Sequence, residues 1–324
     1  MKEAPVEWPI PDMRDVLLAR QRIAPFLQPT PLFTHPALSE LVGTEVWVKH
    51  ENHQPVGAFK VRGGINLLST LSDEERGRGV IAASTGNHGQ SIAYAARLFG
   101  VHAVVVVPVG ANPVKVAAMR GLGSEVIEHG RDFDEAREYC AALATQRGYR
   151  HIHSGNEPLL IAGVATLTLE ILERQPEIDV LIGPVGGGSG MAGACIVRRA
   201  LRPGLELIAV QAAAAPAAYR SWKARALLED KMETAAEGLA TRVAFELPQR
   251  ILWEGLDDFV LASEGELLGA TRLMIETTKT LVEPAGAASL AAALKLRDRL
   301  QGRRVALVCS GGNISPSQLR AVLA

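Results

Sequence analysis

A rhythm in the chain restricts its fold more than any single motif. From about residue 79 onward, short continuous apolar runs alternate with longer amphipathic stretches. The runs at 79–83, 103–107, 125–128, 180–183, 207–210 and 305–308 are short and rich in β-branched residues, as strands covered on both faces must be. The stretches at 90–99, 113–122, 133–147, 158–174 and 191–201 read as helices. Alternating β and α elements predict an α/β fold with mostly parallel sheets. In such folds ligands sit beyond the carboxyl ends of the strands. Three segments fall there: Ser84-Thr85-Gly86-Asn87, Gly186 to Gly190, and Ser310-Gly311-Gly312-Asn313.

The 324 residues are enough for two lobes. Polar and glycine residues break the pattern at 151–157, and a partner boundary is expected near 50–57. This predicts a larger domain from residues 1–53 and 155–324, with a smaller one, 54–154, inserted between. The alanine-rich stretch 212–218 contains Pro216 and reads as a strand-to-helix turn. With 34 basic and 35 acidic side chains the net charge is −1, which gives no electrostatic case for nucleic acid or an anionic membrane. Three scattered cysteines, Cys140, Cys195 and Cys309, argue against a disulfide framework or a structural zinc site. The stretch 1–11 lacks the basic and apolar parts of a signal peptide. No apolar run approaches a bilayer-spanning length, and a cytoplasmic protein is expected.

The loop Val185-Gly186-Gly187-Gly188-Ser189-Gly190 follows a strand and opens a helix. Successive glycines let backbone N–H groups converge on an anion, and the helix N-terminus adds favourable partial charge. The loop predicts phosphate binding without naming the phosphate. It lacks the Gly-Lys-Ser/Thr ending of a nucleotide P-loop. Gly188-x-Gly190-x-x-Gly193 does match the dinucleotide fingerprint, which wants an acidic residue at the end of the next strand. That strand ends in Gln211, while Glu206 lies at its start. A tight turn without a ligand is the other alternative.

Lys60 lies among Gly57, Ala58, Phe59 and Gly63. Small neighbours permit close approach of a ligand, and burial would lower the lysine pKa so that it acts as nucleophile and base. Phe59 offers a face to a flat ring. Ser84-Thr85-Gly86-Asn87-His88-Gly89-Gln90 is a polar turn between a strand and a helix, where backbone N–H groups can receive a carboxylate. An ordinary N-cap would explain one of these side chains but not the whole run. Ser310 can hydrogen-bond a heteroaromatic nitrogen or cap a turn. A lysine, a polar turn and a glycine loop are together what is needed to hold a phosphorylated aldehyde as a Schiff base.

Ala58-Phe59-Lys60-Val61-Arg62-Gly63, the 84–90 turn, Pro184 to Gly190 and Cys309-Ser310-Gly311-Gly312-Asn313 occur in an order and at spacings that resemble a known family. They are similar to the serine/threonine dehydratase and serine racemase branch of the fold type II pyridoxal-phosphate enzymes, over nearly the whole chain. His88, where cysteine synthases usually carry threonine, points to the dehydratases. The resemblance implies a two-lobed fold and pyridoxal 5'-phosphate as cofactor. Lys60 would hold the cofactor and take the substrate Cα proton. Phe59 would face the pyridine ring, Asn87 would meet the phenolic oxygen, and Ser310 the ring nitrogen. Gly186, Gly187, Gly188, Ser189 and Gly190 would hold the phosphate. Ser84, Thr85, Asn87 and His88 would surround the substrate carboxylate, and Glu283 matches a glutamate near the cofactor. The implied reaction dehydrates an L-3-hydroxy amino acid to a 2-oxo acid and ammonia. Racemisation or β-replacement is the enzymatic alternative, and a cofactor-binding sensor the non-enzymatic one. Relatives are often dimers, so a homodimer is expected.

The sequence departs from the family pattern at several places. Many relatives bind a divalent cation through acidic side chains just after the strand at 207–210. Here those positions hold Gln211, Ala215 and Ala217. Hard cations want carboxylate oxygens, so no such metal is expected. Thr85 replaces the serine that acts as second base in the racemase. It keeps a hydroxyl for weak racemisation, but its methyl group changes the geometry. His153-Ser154-Gly155-Asn156 replaces the His-Pro-Phe-Asp run of many threonine dehydratases. Loss of that aromatic predicts room for a larger substrate side chain, such as the aryl group of phenylserine. The sequence stops at Ala324, soon after the Ser310 motif, and no C-terminal regulatory domain is expected.

Overall fold

The computed structural model describes residues 8–131 and 133–324. Most of the stretch read against a signal peptide lies outside them. No helix of the described residues is long and apolar enough to cross a membrane.

Among the described residues ten strands form two sheets: β1 (Leu32–Thr34), β2 (Glu45–His50), β3 (Val80–Ala83), β4 (Ala103–Val107), β5 (Glu125–Glu128), β6 (Arg150–His151), β7 (Val180–Pro184), β8 (Glu206–Ala212), β9 (Asp258–Ala262) and β10 (Arg304–Cys309). The larger sheet has the order β1-β2-β10-β7-β8-β9 and the smaller one β5-β4-β3-β6. Every pairing is parallel except β1 with β2. Parallel strands need long crossovers, which the intervening helices supply. The six strands expected from sequence are β3, β4, β5, β7, β8 and β10, and the five expected helices are present to within three residues at their ends. The 212–218 stretch is a strand-to-helix turn, with Pro216 capping the helix Ala217–Ala224.

Apolar side chains cover both faces of the larger sheet. Leu181, Leu207 and Ala306 face one core, and Ile182, Ile208 and Leu307 face the other. This alternation comes from the strand period of two. A third core mixes the segments. Ala19 and Ile23 pack with Val61, Ile65, Val80 and Ile92, and with Leu160 and Ala162.

The smaller sheet comes wholly from residues 80–151. It is joined to the rest through the helix Val61–Leu68, which lies tightly against Pro158–Arg174 and Asn87–Phe99. A Cβ at Gly63 would come within 2.9 Å of the Leu160 carbonyl oxygen, and one at Gly64 within 2.4 Å of Ser91 Oγ. The glycines after Lys60 therefore serve helix packing rather than ligand approach.

Candidate active site

The segment carrying Lys60 is fixed by backbone pairing to the segment carrying Ser310. Phe59 N–H donates to the Ser310 carbonyl at 3.1 Å, and Gly312 N–H donates to the Gly57 carbonyl at 2.8 Å. Gly57 has φ +67°, open to glycine at little cost, and a Cβ there would meet Asn313 Oδ1 at 2.8 Å. Lys60 ends this loop and caps the helix Val61–Leu68, and Ser91 Oγ donates to its carbonyl at 2.7 Å. Its Nζ donates to Ser189 Oγ at 2.8 Å and stands 5.2 Å from the centre of the Phe59 ring. Burial lowers its pKa from 10.5 to about 8, because low-dielectric surroundings disfavour the charged ammonium.

Across from Lys60, β3 ends at the polar turn. Ser84 Oγ accepts from Gly86 N–H at 3.2 Å and Gly89 N–H at 2.9 Å. It thus closes the turn, and the first N–H groups of the helix Asn87–Phe99 are left for an anion. Asn87 is held from two sides: its Nδ2 donates to Glu283 Oε1 at 2.7 Å, and its Oδ1 accepts from Asn313 Nδ2 at 2.8 Å. Burial pushes the Glu283 carboxyl up, Lys115 and the Asn87 amide oppose this, and Glu237 adds to it. Lys115, buried on the helix Pro113–Gly121, pairs with Glu237 across the cleft. His88 is driven down to about 3 by burial first and then by Lys60 and His153, against a hydrogen bond to the Ile152 backbone. Its Nε2 is buried and has no partner among the described residues.

β7 leads into the glycine loop, which opens the helix Ser189–Leu201. Gly188 has φ +89°. A Cβ at Gly186 would lie 2.2 Å from the Gly238 carbonyl oxygen, and one at Gly187 2.5 Å from the Phe245 ring. At Gly186 and Gly187 the loop leaves no space for a side chain, so it offers backbone N–H groups there instead. Ser310 Oγ, at the end of β10, donates to the Ala285 carbonyl at 3.3 Å.

All thirteen residues singled out in the sequence line one cleft of about 470 Å³. They are Phe59, Lys60, Ser84, Thr85, Asn87, His88, Gly186, Gly187, Gly188, Ser189, Gly190, Glu283 and Ser310. Lys115, Glu237 and Phe245 line it too, and no local pattern in the sequence marks them. The dinucleotide alternative loses its last acidic residue, because Glu206 pairs with Arg299 and Arg303 at the opposite end of β8. Gln211 is also engaged: its Oε1 accepts from Tyr219 N–H at 2.9 Å. The room expected beside Gly155 is not there. A Cβ at Gly155 would lie 2.2 Å from Phe245 Cδ2, so an aromatic ring from a distant part of the chain fills the space.

A profile for pyridoxal-phosphate dependent enzymes matches residues 23–311. The chain belongs to this family. An L-threonine ammonia-lyase from Thermotoga maritima is 36% identical over 96% of the chain and 78% of its own length. An L-threo-3-hydroxyaspartate ammonia-lyase from Saccharomyces cerevisiae is 36% identical over 94% of both chains. The crystal structure of serine racemase from Dictyostelium discoideum superimposes with a TM-score of 0.88 at 34% identity, covering 94% of this chain and 99% of that one.

The cleft of this pyridoxal-phosphate enzyme fits its cofactor group by group. The glycine loop at a helix N-terminus suits a phosphate dianion and carries no carboxylate. Lys60 supplies an amine whose pKa burial lowers to about 8, so that more of it is neutral and nucleophilic near neutral pH than in an exposed lysine. Phe59 offers an aromatic face, and Ser310 a hydroxyl at the end of the adjoining strand.

Proposed function

We infer that the chain is an ammonia-lyase that converts an L-3-hydroxy amino acid to a 2-oxo acid and ammonia. The observation that carries this reading is the apposition, in one cleft, of the Lys60 amine and the anion-receiving turn Ser84 to His88. The names of the two ammonia-lyase relatives support it.

Pyridoxal phosphate, when bound, supplies the electron sink that makes the Cα–H bond acidic. Lys60 and Ser310 would hold it together with Phe59, Asn87, Glu283 and the loop Gly186 to Gly190. The N–H groups opening the helix Asn87–Phe99 hold the substrate carboxylate, with Ser84, Thr85, Asn87 and His88 around it. Lys60 Nζ then takes the Cα proton. The Cβ–O bond breaks, and the hydroxyl leaves with a proton as water. The released enamine tautomerises and hydrolyses to the 2-oxo acid and ammonia. His88, held neutral, can share a hydrogen bond with the carboxylate without adding a charge that would compete for it. We place the hinges of the smaller lobe at the ends of 54–154. Its closure, with the Lys115–Glu237 pair bridging the cleft, would exclude water during elimination.

Purified holoenzyme should release ammonia and 2-oxo acid from L-serine, L-threonine or L-threo-3-hydroxyaspartate, and Lys60→Ala should abolish release. Silence of the wild type on all three would overturn the reading. Thr85, whose side chain lines the same cleft, favours racemisation as a second reading. Chiral analysis of recovered serine tests it, and unchanged enantiomeric purity rules it out.

A further inference from the structure

Gly155 and Phe245 are ninety residues apart in the sequence, yet they are complementary in shape. The Cβ position of Gly155 lies 2.2 Å from Phe245 Cδ2, and that of Gly187 lies 2.5 Å from Cε2 of the same ring. The ring is thus wedged between the 153–156 segment and the phosphate loop, and it lines the cleft beside Ser154 and Thr241. A side chain at position 155 would need the volume this ring occupies.

The ring is held in place from both sides. His153 meets it edge to face, with centroids 5.0 Å apart and planes at 83°, a favourable aromatic arrangement. His153 Nδ1 accepts from Gly155 N–H at 3.1 Å and Asn156 N–H at 2.9 Å, so the imidazole is fixed to the segment it belongs to. Asn156 Oδ1 accepts from Leu247 N–H at 3.0 Å. That N–H belongs to the first turn of the helix Glu246–Gly255, which Phe245 caps. A swing of the ring out of the cleft would have to break this contact set.

We propose that Phe245 is the specificity-determining wall of the substrate side-chain pocket, admitting small Cβ substituents and excluding aryl ones. The inference rests on the reading of the chain as a 3-hydroxy amino acid ammonia-lyase and names the substrate class. Hydrogen, methyl or carboxylate on Cβ is accepted, and phenyl is not. The aromatic missing from the 153–156 run is supplied from a distant part of the chain, so its loss from the sequence leaves the pocket no larger.

The test compares wild-type holoenzyme with Phe245→Ala, Phe245→Leu, Gly155→Ala and the double variant Gly155→Ala/Phe245→Ala. Two readouts are taken for L-threonine and L-threo-3-phenylserine: kcat/KM for ammonia release, and the dissociation constant from the change in the bound cofactor's visible absorbance. Wild type should prefer threonine. Phe245→Ala should move both ratios toward phenylserine by about 10- to 100-fold, as expected when a pocket gains the volume of an aromatic ring, and Phe245→Leu by less. Gly155→Ala should weaken binding of both ligands, and the double variant should regain it. Unchanged ratios in the alanine and leucine variants overturn the proposal while leaving the ammonia-lyase reading intact, and wild-type preference for phenylserine also overturns it. If no amino acid yields ammonia but the binding ratio still shifts in Phe245→Ala, the wall stands and the ammonia-lyase reading falls. If Phe245→Ala does not fold, the leucine variant decides by the same ratios.

Discussion

Two residues beyond Lys60, a buried charge cluster holds the lysine's helix in place, and Glu51→Gln is the change that tests it. Arg62 Nε donates to Glu51 Oε2 at 2.7 Å and Nη2 to Glu51 Oε1 at 2.8 Å, while Nη1 and Nη2 reach Glu170 at 2.6 and 2.8 Å. Lys49 Nζ also donates to Glu170, at 2.5 Å. Lys49, Arg62 and Glu51 are almost wholly buried. Two cations and two anions balance, so removing the Glu51 charge leaves a net positive charge inside the protein. Breaking such a pair on one side costs about 3–5 kcal/mol. The acidity of the carboxyl points the same way: burial alone would raise it, but Arg62 outweighs burial and the pKa falls from 4.5 to about 2. At about 1.5 °C per kcal/mol for a chain of this size, a cost of about 3–5 kcal/mol lowers Tm by about 4–7 °C, measured calorimetrically on cofactor-loaded protein at pH 7. The pH dependence is specific. A depressed carboxyl pKa contributes stability that is complete above the unfolded value and lost as pH falls through the folded one. The gap between wild type and Glu51→Gln should therefore narrow from about pH 4.5 towards about pH 2. Glu51→Leu/Arg62→Met, which removes one charge of each sign and leaves Lys49 paired with Glu170, should recover much of the loss. A cost below about 1 kcal/mol at pH 7, the range of exposed pairs, or a gap that does not change on acidification, would refute the account.

Burial of the Lys60 amine at about 8 predicts that apoprotein takes up pyridoxal phosphate at a rate that rises with pH and levels off above that value. Stopped-flow absorbance would show it, and an inflection near the ordinary lysine value of about 10 would mean that burial does not set the amine's reactivity. Gly186→Ala should weaken cofactor retention at least about 10-fold, because its Cβ would press on the Gly238 carbonyl oxygen at 2.2 Å and backbone overpacking costs about 1–3 kcal/mol. Equilibrium dialysis checks this, and wild-type retention contradicts it.

The parts of the fold and cleft that were legible in the sequence are those set by local chemistry. A strand covered on both faces has to be apolar along its length, so β4, with all five residues Ala103–Val107 buried, announces itself. β2 does not. Its second half carries Lys49 and His50, which are buried only because Glu170 and His35 reach them from elsewhere in the chain. β6 is two residues long, and β9 begins with an aspartate and is only partly buried, so neither rises above the loops around it. The glycine loop and the 84–90 turn were readable for a similar reason. Backbone N–H groups at a helix N-terminus need little more than small or polar residues in sequence.

Size selection at the far end of the cleft follows a different logic. Gly155 on its own reads as space, and Phe245 on its own as one more core aromatic beside a helix start. Neither statement about volume holds until the two segments are placed together, because a cavity depends on the neighbours of a residue as much as on the residue itself. The same applies to Gly63, whose smallness suggested access for a ligand and is taken up by Leu160. The chemistry of this enzyme can therefore be carried along the chain motif by motif, whereas its substrate class depends on contacts between residues that no motif links. A Gly155 without a facing aromatic would mark a pocket of the opposite selectivity, and the pair of positions has to be read together for the glycine to mean anything.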